Sequence, residues 1–216
     1  MGASRRVYFG IGIICIALGA AGLARCYWPA PLVHSAVVLA PDQRSITEGT
    51  GKPAVEGRQI QLDYPAWMRT GETVPIHLAI IPDPPGEARP VQGLNVEAEA
   101  WLELDGASFL PDGITSTALL AGKPSLFEWQ MNASSDGKLA GRAWLAFRFL
   151  PQDGSSDTRR PITAQPIAIQ VFQLAGLTNE EFRVVSGGVA IFGLVFLWFG
   201  LYRKRGRTRR KNQKPH

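Results

Sequence analysis

The feature that most constrains this chain is an uncharged apolar stretch near its C-terminus, followed at once by a cluster of basic residues. Residues 184–202 carry no charge and include eleven Val, Ile, Leu or Phe side chains. About 20 apolar residues suffice for a helix to cross the hydrocarbon layer of a membrane, and each of these side chains favours insertion by roughly 0.3–0.6 kcal/mol. The stretch therefore predicts a transmembrane helix.

The basic cluster that follows predicts the orientation of that helix. Lys and Arg flanking a membrane helix are retained on the cytoplasmic side, so we expect the C-terminal tail to be cytoplasmic. Basic side chains near a membrane surface also attract anionic lipid headgroups, by about 1 kcal/mol each. We expect this lipid contact from Arg203, Lys204, Arg205, Arg207, Arg209, Arg210 and Lys211.

The start of the C-terminal helix has its own signal. Thr178 and Glu181 have the spacing of a capping box, in which the threonine accepts a hydrogen bond from the Glu181 amide and the glutamate reaches back. Leu177 and Phe182 are placed to pack across the cap as a hydrophobic staple. We therefore expect the helix to begin at Thr178, ahead of the apolar stretch.

A second apolar run covers residues 7–24, between Arg5-Arg6 and Arg25. Its length is close to the spanning minimum and it lacks a convincing cleavage site, so we favour an uncleaved signal anchor over a cleaved signal peptide. Lipidation at Cys26 is disfavoured because Arg25 stands where a lipobox requires a small residue. Both termini are then expected in the cytoplasm.

Charge and cysteine content exclude several classes of protein. All 18 acidic residues lie between Arg25 and Arg183 with only 13 of the 23 basic ones, so the middle of the chain is net acidic. A nucleic-acid-binding domain needs a positive surface, and we expect no nucleic-acid partner. Cys15 and Cys26 both lie at the N-terminal end, which leaves the middle without a disulfide framework or a cysteine metal site.

The middle of the chain shows the two-residue alternation of half-buried strands. In residues 94–104 apolar side chains alternate with polar or aromatic ones. Similar strand candidates are separated by turn signals such as Ser135-Asp-Gly and Leu110-Pro-Asp-Gly. They lie at residues 59–63, 74–81, 114–120, 126–131, 143–150 and 166–174, with a weaker apolar patch at 36–40 that either pairs as a strand or crosses the surface.

Seven or eight short strands in this span predict a mostly β protein, an immunoglobulin-like antiparallel β-sandwich flanked by N- and C-terminal transmembrane helices. A small barrel is the structural alternative. The core is expected to contain Phe127, Trp129, Leu145, Phe147, Ile167, Ile169 and Val171.

The segments 126–129, 143–147 and 167–171, Leu-Phe-Glu-Trp, Ala-Trp-Leu-Ala-Phe and Ile-Ala-Ile-Gln-Val, resemble the membrane-proximal immunoglobulin-like domains of many bacterial envelope proteins. The resemblance implies an architecture and no activity. The expected organisation is a cytoplasmic N-terminus at 1–6, a signal-anchor helix at 7–24, an extracytoplasmic linker at 25–57, a β-sandwich at 58–175, a capped transmembrane helix at 178–202 and a basic cytoplasmic tail at 203–216.

The sequence contains no recognisable catalytic, cofactor-binding or metal-binding motif. Nucleophile-elbow, P-loop, dinucleotide and EF-hand patterns are absent. Of the three histidines, His77 is the strongest candidate for a base, but a surface histidine on an edge strand is the more common situation. We therefore expect no enzymatic activity, no cofactor and no metal, with a hydrolase as a distant alternative.

One strand face offers a candidate binding surface. Glu97, Glu99, Trp101 and Glu103 fall on the same side of the predicted strand at 94–104. This acidic stripe is either a docking face for a basic partner or divalent cation, or an ordinary solvated sheet face with one aromatic side chain.

The function predicted from these features is a membrane-anchored extracytoplasmic β-sandwich that acts as a non-enzymatic binding or assembly module for a protein partner. The alternative is an accessory subunit of an envelope transporter, sensor or enzyme complex, whose contacts are made mainly by the transmembrane helices. Two small-xxx-small pairs, Ser186 with Ala190 and Ala20 with Ala24, either let such helices approach each other or a partner helix, or are small residues that face lipid by chance.

Overall fold

The computed structural model describes residues 3–38, 58–82, 94–120, 122–152 and 155–211, with the side chains of 3–6, 94 and 202–211 outside the description. It is mostly β and has two long apolar terminal helices. The elements are α1 (Ala3–Tyr27), β1 (Leu32–Val38), β2 (Arg58–Pro65), β3 (Trp67–Arg69), β4 (Thr73–Pro82), β5 (Leu94–Leu104), β6 (Ala107–Leu110), β7 (Thr115–Ala118), β8 (Ser125–Ala133), β9 (Gly137–Pro151), β10 (Thr158–Phe172) and α2 (Asn179–Lys211).

The strands form two five-stranded sheets within the unit Ala30–Phe172. The first sheet has the order β1-β2-β4-β8-β6, and the second has the order β3-β10-β9-β5-β7. Every strand pair is antiparallel except β3 with β10, which is parallel. The predicted all-antiparallel arrangement is therefore wrong at this pair.

The parallel pair arises where the chain changes sheets. β2 ends at Pro65, which has no N–H to continue the ladder, and β3 begins two residues later at Trp67 in the other sheet. The Ala66 amide donates to the Pro31 carbonyl in the first sheet, while the Ala66 carbonyl accepts from the Gln170 amide in the second. The chain does not reverse at this crossing, and in the second sheet β3 pairs with β10 in the parallel direction.

A single hydrophobic cluster draws buried side chains from both sheets. It includes Ile60 and Leu62 on β2 and Ile76, Leu78 and Ile80 on β4, all fully buried. The seven side chains predicted from alternation are confirmed as core residues: Phe127, Trp129, Leu145, Phe147, Ile167, Ile169 and Val171.

Several strands differ in extent from the predicted ones. β10 begins at Thr158, eight residues earlier than expected, and contains Pro161 and Pro166. β3 covers only residues 170–172 of β10, so the earlier part of β10 has β9 on one side alone among the described strands. A proline is tolerated on such an edge because its missing N–H can face outward, and the register shift between Pro161 and Thr163 accommodates the first one.

The range predicted as a linker, 25–57, contains a strand. β1 pairs antiparallel with β2 from Leu32 to Val38, so the strand alternative for this patch is the one observed, and it starts earlier than residue 36. The pattern was weak because few of its side chains are even partly buried. Residues 39–57 lie outside the described part of the chain.

The second unit consists of Met1–Pro29 and Gln173–His216. Its two helices contain segments long and apolar enough to cross a membrane, Val7–Tyr27 and Asn179–Leu201, with a mean hydropathy of 2.2 for both. The predicted capping box is confirmed: the Thr178 amide donates to Glu181 Oε2 at 2.8 Å, and the Glu181 amide donates to Thr178 Oγ1 at 3.3 Å.

The two helices pack closely through small residues. A Cβ atom on Gly19 would lie 2.7 Å from the Cβ and backbone N of Ala190, and one on Gly193 would lie 2.7 Å from the Gly12 carbonyl oxygen. Ser186 is also buried in this contact, so the predicted approach of the two helices at the small residues Ser186 and Ala190 is confirmed. Ala20 and Ala24 are exposed, so of the alternatives for this pair the contact with α2 is not the one observed, and an approach to a partner helix stays a prediction.

Candidate functional site

The outer face of the second sheet gathers the residues that the sequence assigned to partner binding. They alternate along β5 with core side chains, and β5 lies between β9 and β7. On the neighbouring strands the same face carries three arginines and a second tryptophan. We call this surface the tryptophan face; it consists of Glu97, Glu99, Trp101 and Glu103 on β5, Arg142, Trp144 and Arg148 on β9, and Arg159 on β10.

Two stacked tryptophans form the centre of this face. Trp101 and Trp144 are cross-strand partners, and their rings are 5.7 Å apart with an interplanar angle of 6°. The Arg159 guanidinium lies 4.9 Å from the Trp101 ring centroid, and that of Arg142 lies 5.9 Å from the Trp144 centroid. Aromatic stacking and cation–π contact both restrict side-chain rotation. The two indoles are therefore held in one geometry.

Glu99 is buried on this face and carries an ion pair. Its residue is only 8% exposed, and its Oε2 atom lies 2.6 Å from Arg159 Nε. The two atoms are close enough for an ion pair, but the Arg159 N–H is not aligned with Glu99 Oε2 as a hydrogen bond requires. A buried carboxylate needs such a partner because desolvation disfavours its charge. Glu99 thus serves to fix Arg159 over Trp101.

The flanking charged groups also have partners. Glu103 Oε2 accepts a hydrogen bond from Trp144 Nε1 at 2.6 Å. Arg148 donates to Asp157 Oδ2 at 2.5 Å, and the hydrogen bond and negative charge of Asp157 raise the pKa of the Arg148 guanidinium above its ordinary value. Both interactions are solvent-exposed, so they orient side chains more than they stabilise the fold.

This geometry does not favour the acidic-docking hypothesis. The carboxylates share the face with Arg142, Arg148 and Arg159, which makes its charge mixed. Among the described residues, no group of three or more His, Cys, Asp or Glu side chains is arranged to hold a metal ion. What the surface offers is a rigid aromatic centre with hydrogen-bonding charges around it.

Two of the three histidines, His34 and His77, lie on the outer side of the first sheet, and His216 lies outside the described residues. His77 is half-buried on β4, and its Nε2 atom is 3.7 Å from Glu128 Oε1. His34 on β1 contacts Asp63 on β2, with 2.8 Å between Nδ1 and Oδ1. β4 is an inner strand of this sheet, so the prediction that His77 lies on an edge strand is wrong.

The basic residues after the apolar stretch continue the second helix. α2 extends to Lys211, which places these residues on helical backbone beyond Leu201. Their side chains, and residues 212–216 altogether, are outside the described part of the chain. The residues concerned are Arg203, Lys204, Arg205, Arg207, Arg209, Arg210 and Lys211, and their contact with anionic lipid stays a prediction.

Sequence reasoning found the β5 half of the tryptophan face and missed the other half. The same two-residue alternation was available in β9, where Arg142, Trp144 and Arg148 are separated by core side chains. Arg159 had no such signal, because the bulge and prolines of β10 disrupt its alternation.

Comparisons with known proteins add remote structural similarity alone. No family model matches the chain, and no curated protein matches it. Among the solved structures that match is the ASH / PapD-like domain of human CEP192 (PapD-like domain 7), at a TM-score of 0.33 and 10% identity. That match covers 59% of this chain and 93% of the other. A TM-score this low supports no conclusion about function.

Proposed function

We propose that this protein is a membrane-anchored, non-enzymatic binding or assembly module. In this proposal α1 and α2 cross the membrane with both termini in the cytoplasm. The two sheets form an immunoglobulin-like β-sandwich outside the cytoplasm, and the tryptophan face contacts a protein partner.

The stacked pair Trp101–Trp144 is the observation that carries the binding role. Trp and Arg are enriched among the residues that dominate binding energy in protein interfaces. A surface whose side chains are already ordered loses less conformational entropy when it binds. Here both indoles are half-buried and are held by each other and by Arg142 and Arg159.

The membrane part of the proposal is supported by length, composition and charge. Val7–Tyr27 and Asn179–Leu201 are each long enough to span a hydrocarbon layer of about 30 Å at 1.5 Å per helical residue. Lys and Arg are concentrated after the second segment, which favours a cytoplasmic tail.

Site-specific crosslinking in native membranes tests the binding role. A photoreactive amino acid at Ser116, exposed on β7 beside Glu99, reports on the tryptophan face. One at Gln130, on β8 of the first sheet, serves as the control position. We expect a discrete protein adduct from position 116 that is absent from position 130.

The adduct should then depend on the indoles. Trp101→Ala combined with Trp144→Ala is expected to remove it, whereas Leu126→Ala, which trims an exposed apolar side chain on the other sheet, should leave it unchanged. An adduct that survives the double tryptophan variant but is lost when both helices are replaced by unrelated apolar helices would instead indicate an accessory subunit that binds through its helices.

A further inference from the structure

The four strands that end the two described sheets are unequal in length. β3, β6 and β7 are edge strands of three or four residues, whereas β1 ends the first sheet with seven. Among the described strands β1 pairs with β2 alone. The other long unpaired edge, residues 158–169 of β10, is interrupted by Pro161 and Pro166. A long edge strand offers a row of backbone donors and acceptors to any further strand.

The hydrogen bond from the Ala66 amide to the Pro31 carbonyl, at 2.9 Å, shows which backbone groups of β1 face outward. The backbone N–H and C=O groups of successive residues point to alternate sides of a strand. Because those of Pro31 face β2, the backbone groups of residues 33, 35 and 37 also face β2. The pairing of Leu32 with Pro65, which has no N–H to give, agrees with this phase. The outward-facing groups therefore belong to Leu32, His34, Ala36 and Val38.

The larger apolar side chains of β1 are arranged symmetrically about its central residue, Ser35. Apolar Leu32 corresponds to Val38 and Val33 corresponds to Val37, with His34 and Ala36 next to the centre. Leu32 and Val38 are exposed, at 55% and 65%. The strand also lacks the Lys, Glu, Asp and Pro residues with which proteins commonly block an edge.

We infer that β1 is a homodimer interface, in which it pairs antiparallel with β1 of a second copy around a two-fold axis at Ser35. In this register Leu32 pairs with Val38 of the second copy and His34 pairs with its Ala36. All of these are residues whose backbone groups face the free edge. On the order of eight new hydrogen bonds then join the two first sheets into one.

The alternatives within the same edge are less favourable. A two-fold axis between two residues would oppose an outward-facing backbone group with an inward-facing one, which cannot form the ladder. An axis at His34 would place two imidazoles opposite each other and leave Val37 and Val38 without partners. The axis at Ser35 matches apolar side chains on both faces and pairs all seven residues.

Within the described part of the chain, no other strand covers this edge. The His34 ring is turned toward β2 by its 2.8 Å contact with Asp63. Val33 already packs against the core cluster, so its pairing with Val37 of the second copy would extend the core-facing side of the sheet. A second copy is the occupant that this symmetric sequence fits best, because a foreign strand would have no reason to match it about one central residue.

A cysteine at the axis tests the register directly. Ser35 would lie opposite Ser35 of the second copy, and the two residues would not hydrogen-bond to each other because their backbone groups face β2. In such an antiparallel pair the Cα atoms lie about 4.5 Å apart, which is within disulfide range. The experiment uses the full chain in detergent with Cys15→Ala and Cys26→Ala, oxidised with copper phenanthroline. Ser35→Cys should give a covalent dimer, while Ser116→Cys, an exposed serine on edge strand β7, should give several times less.

Ala36→Pro tests whether the edge itself holds the dimer. This change removes an N–H that faces the free edge and leaves the β1–β2 hydrogen bonds in place, so the strand content should be retained while the dimer is lost in sedimentation. If circular dichroism shows that the proline variant does not fold, Ala36→Lys replaces it as an edge-blocking charge. A monomeric wild type, equal crosslinking at Ser35→Cys and Ser116→Cys, a disulfide to another protein, or a dimer that persists in the edge variant would each overturn the inference.

Discussion

At the scale of single residues, Arg159 has the largest structural role on the tryptophan face. Its guanidinium pairs with the buried Glu99 carboxylate and lies over the Trp101 ring. A planar, permanently charged group can make both contacts at once, which an ammonium group cannot do as well. The orientation of the aromatic centre thus depends on a residue from β10, two strands away from Trp101.

We expect Arg159→Ala to destabilise the protein by about 1–3 kcal/mol, because it leaves the Glu99 carboxylate buried without its ion pair. Urea unfolding of the full chain in detergent, followed by circular dichroism of the strands, measures this change. Arg159→Lys should recover part of the stability. Arg148→Ala is the control: its ion pair with Asp157 is solvent-exposed, so its loss should have a smaller effect. Equal losses for the two alanine variants would contradict this account of Glu99.

A second prediction concerns Gln165, a buried amide on β10. It is 2% exposed, and neither its nitrogen nor its oxygen has a hydrogen-bond partner among the described residues. Replacing an unsatisfied buried polar group with an apolar one of similar size removes a desolvation cost. Gln165→Leu should therefore stabilise the protein by about 1 kcal/mol in the same urea assay. Gln61→Leu should not, because the Gln61 amide donates to Asp63.

At the scale of elements, alternation predicted the strands that have one face in the core. β5 was placed at residues 94–104 because its apolar side chains recur at every second position. β3 and the start of β10 were not found, since three residues carry too little pattern and prolines argue against a strand. β1 was found only in part, because an edge strand buries few side chains.

For the tryptophan face, too, the sequence could group only residues that lie on one strand. Glu97, Glu99, Trp101 and Glu103 could be grouped because they share one strand. Their partners lie on β9 and β10, and the strand order that places those strands beside β5 cannot be read from local sequence. The stripe was therefore interpreted as acidic, whereas pairing across strands makes its charge mixed.

The close approach of α1 and α2 leads to a third prediction. A side chain on Gly19 would meet Ala190 and the Ser186 carbonyl, whereas one on Gly10 would meet nothing within 4 Å. We expect Gly19→Ile to separate the helices and Gly10→Ile, the same change on the same helix, to leave them paired.

A disulfide reporter measures that pairing. With Cys15→Ala and Cys26→Ala, cysteines introduced at Gly22 and Ser186 should form an intramolecular disulfide. A Cβ atom on Gly22 would lie 3.0 Å from Ser186 Cβ, and a shift of less than about 1 Å brings the pair to the Cβ–Cβ distance of a disulfide. The disulfide yield should fall sharply with Gly19→Ile and stay high with Gly10→Ile. A yield that is the same in both variants would show that Gly19 does not determine the helix contact.

At the scale of the whole molecule, charge is distributed by position along the chain. The basic residues at the two ends flank apolar segments, while the acidic residues are confined between them. Under the proposed topology the basic ends stay in the cytoplasm and the acidic middle is exported, because basic residues resist translocation and acidic residues contribute little to orientation. The same asymmetry predicts that the protein is oriented less strictly when the tail loses its charge.

We expect neutralisation of the tail to weaken the orientation of the protein in the membrane. In the variant, Gln replaces the basic residues of the tail, while Arg5 and Arg6 remain. A cysteine at Ser135, an exposed turn residue, reports the side of the β unit when Cys15 and Cys26 are replaced by Ala. The residues changed to Gln are Arg203, Lys204, Arg205, Arg207, Arg209, Arg210, Lys211 and Lys214.

An impermeant maleimide applied to intact cells should label the position 135 cysteine fully in the native-tail protein and less in the glutamine variant. The matched control replaces each arginine of the tail with lysine, which keeps the charge and should keep full labelling. Labelling only after the cells are opened, in the protein with its native tail, would place the β unit in the cytoplasm and exclude the proposed topology. Full labelling of the glutamine variant as well as of the native-tail protein would show instead that the charge of the tail does not determine the orientation.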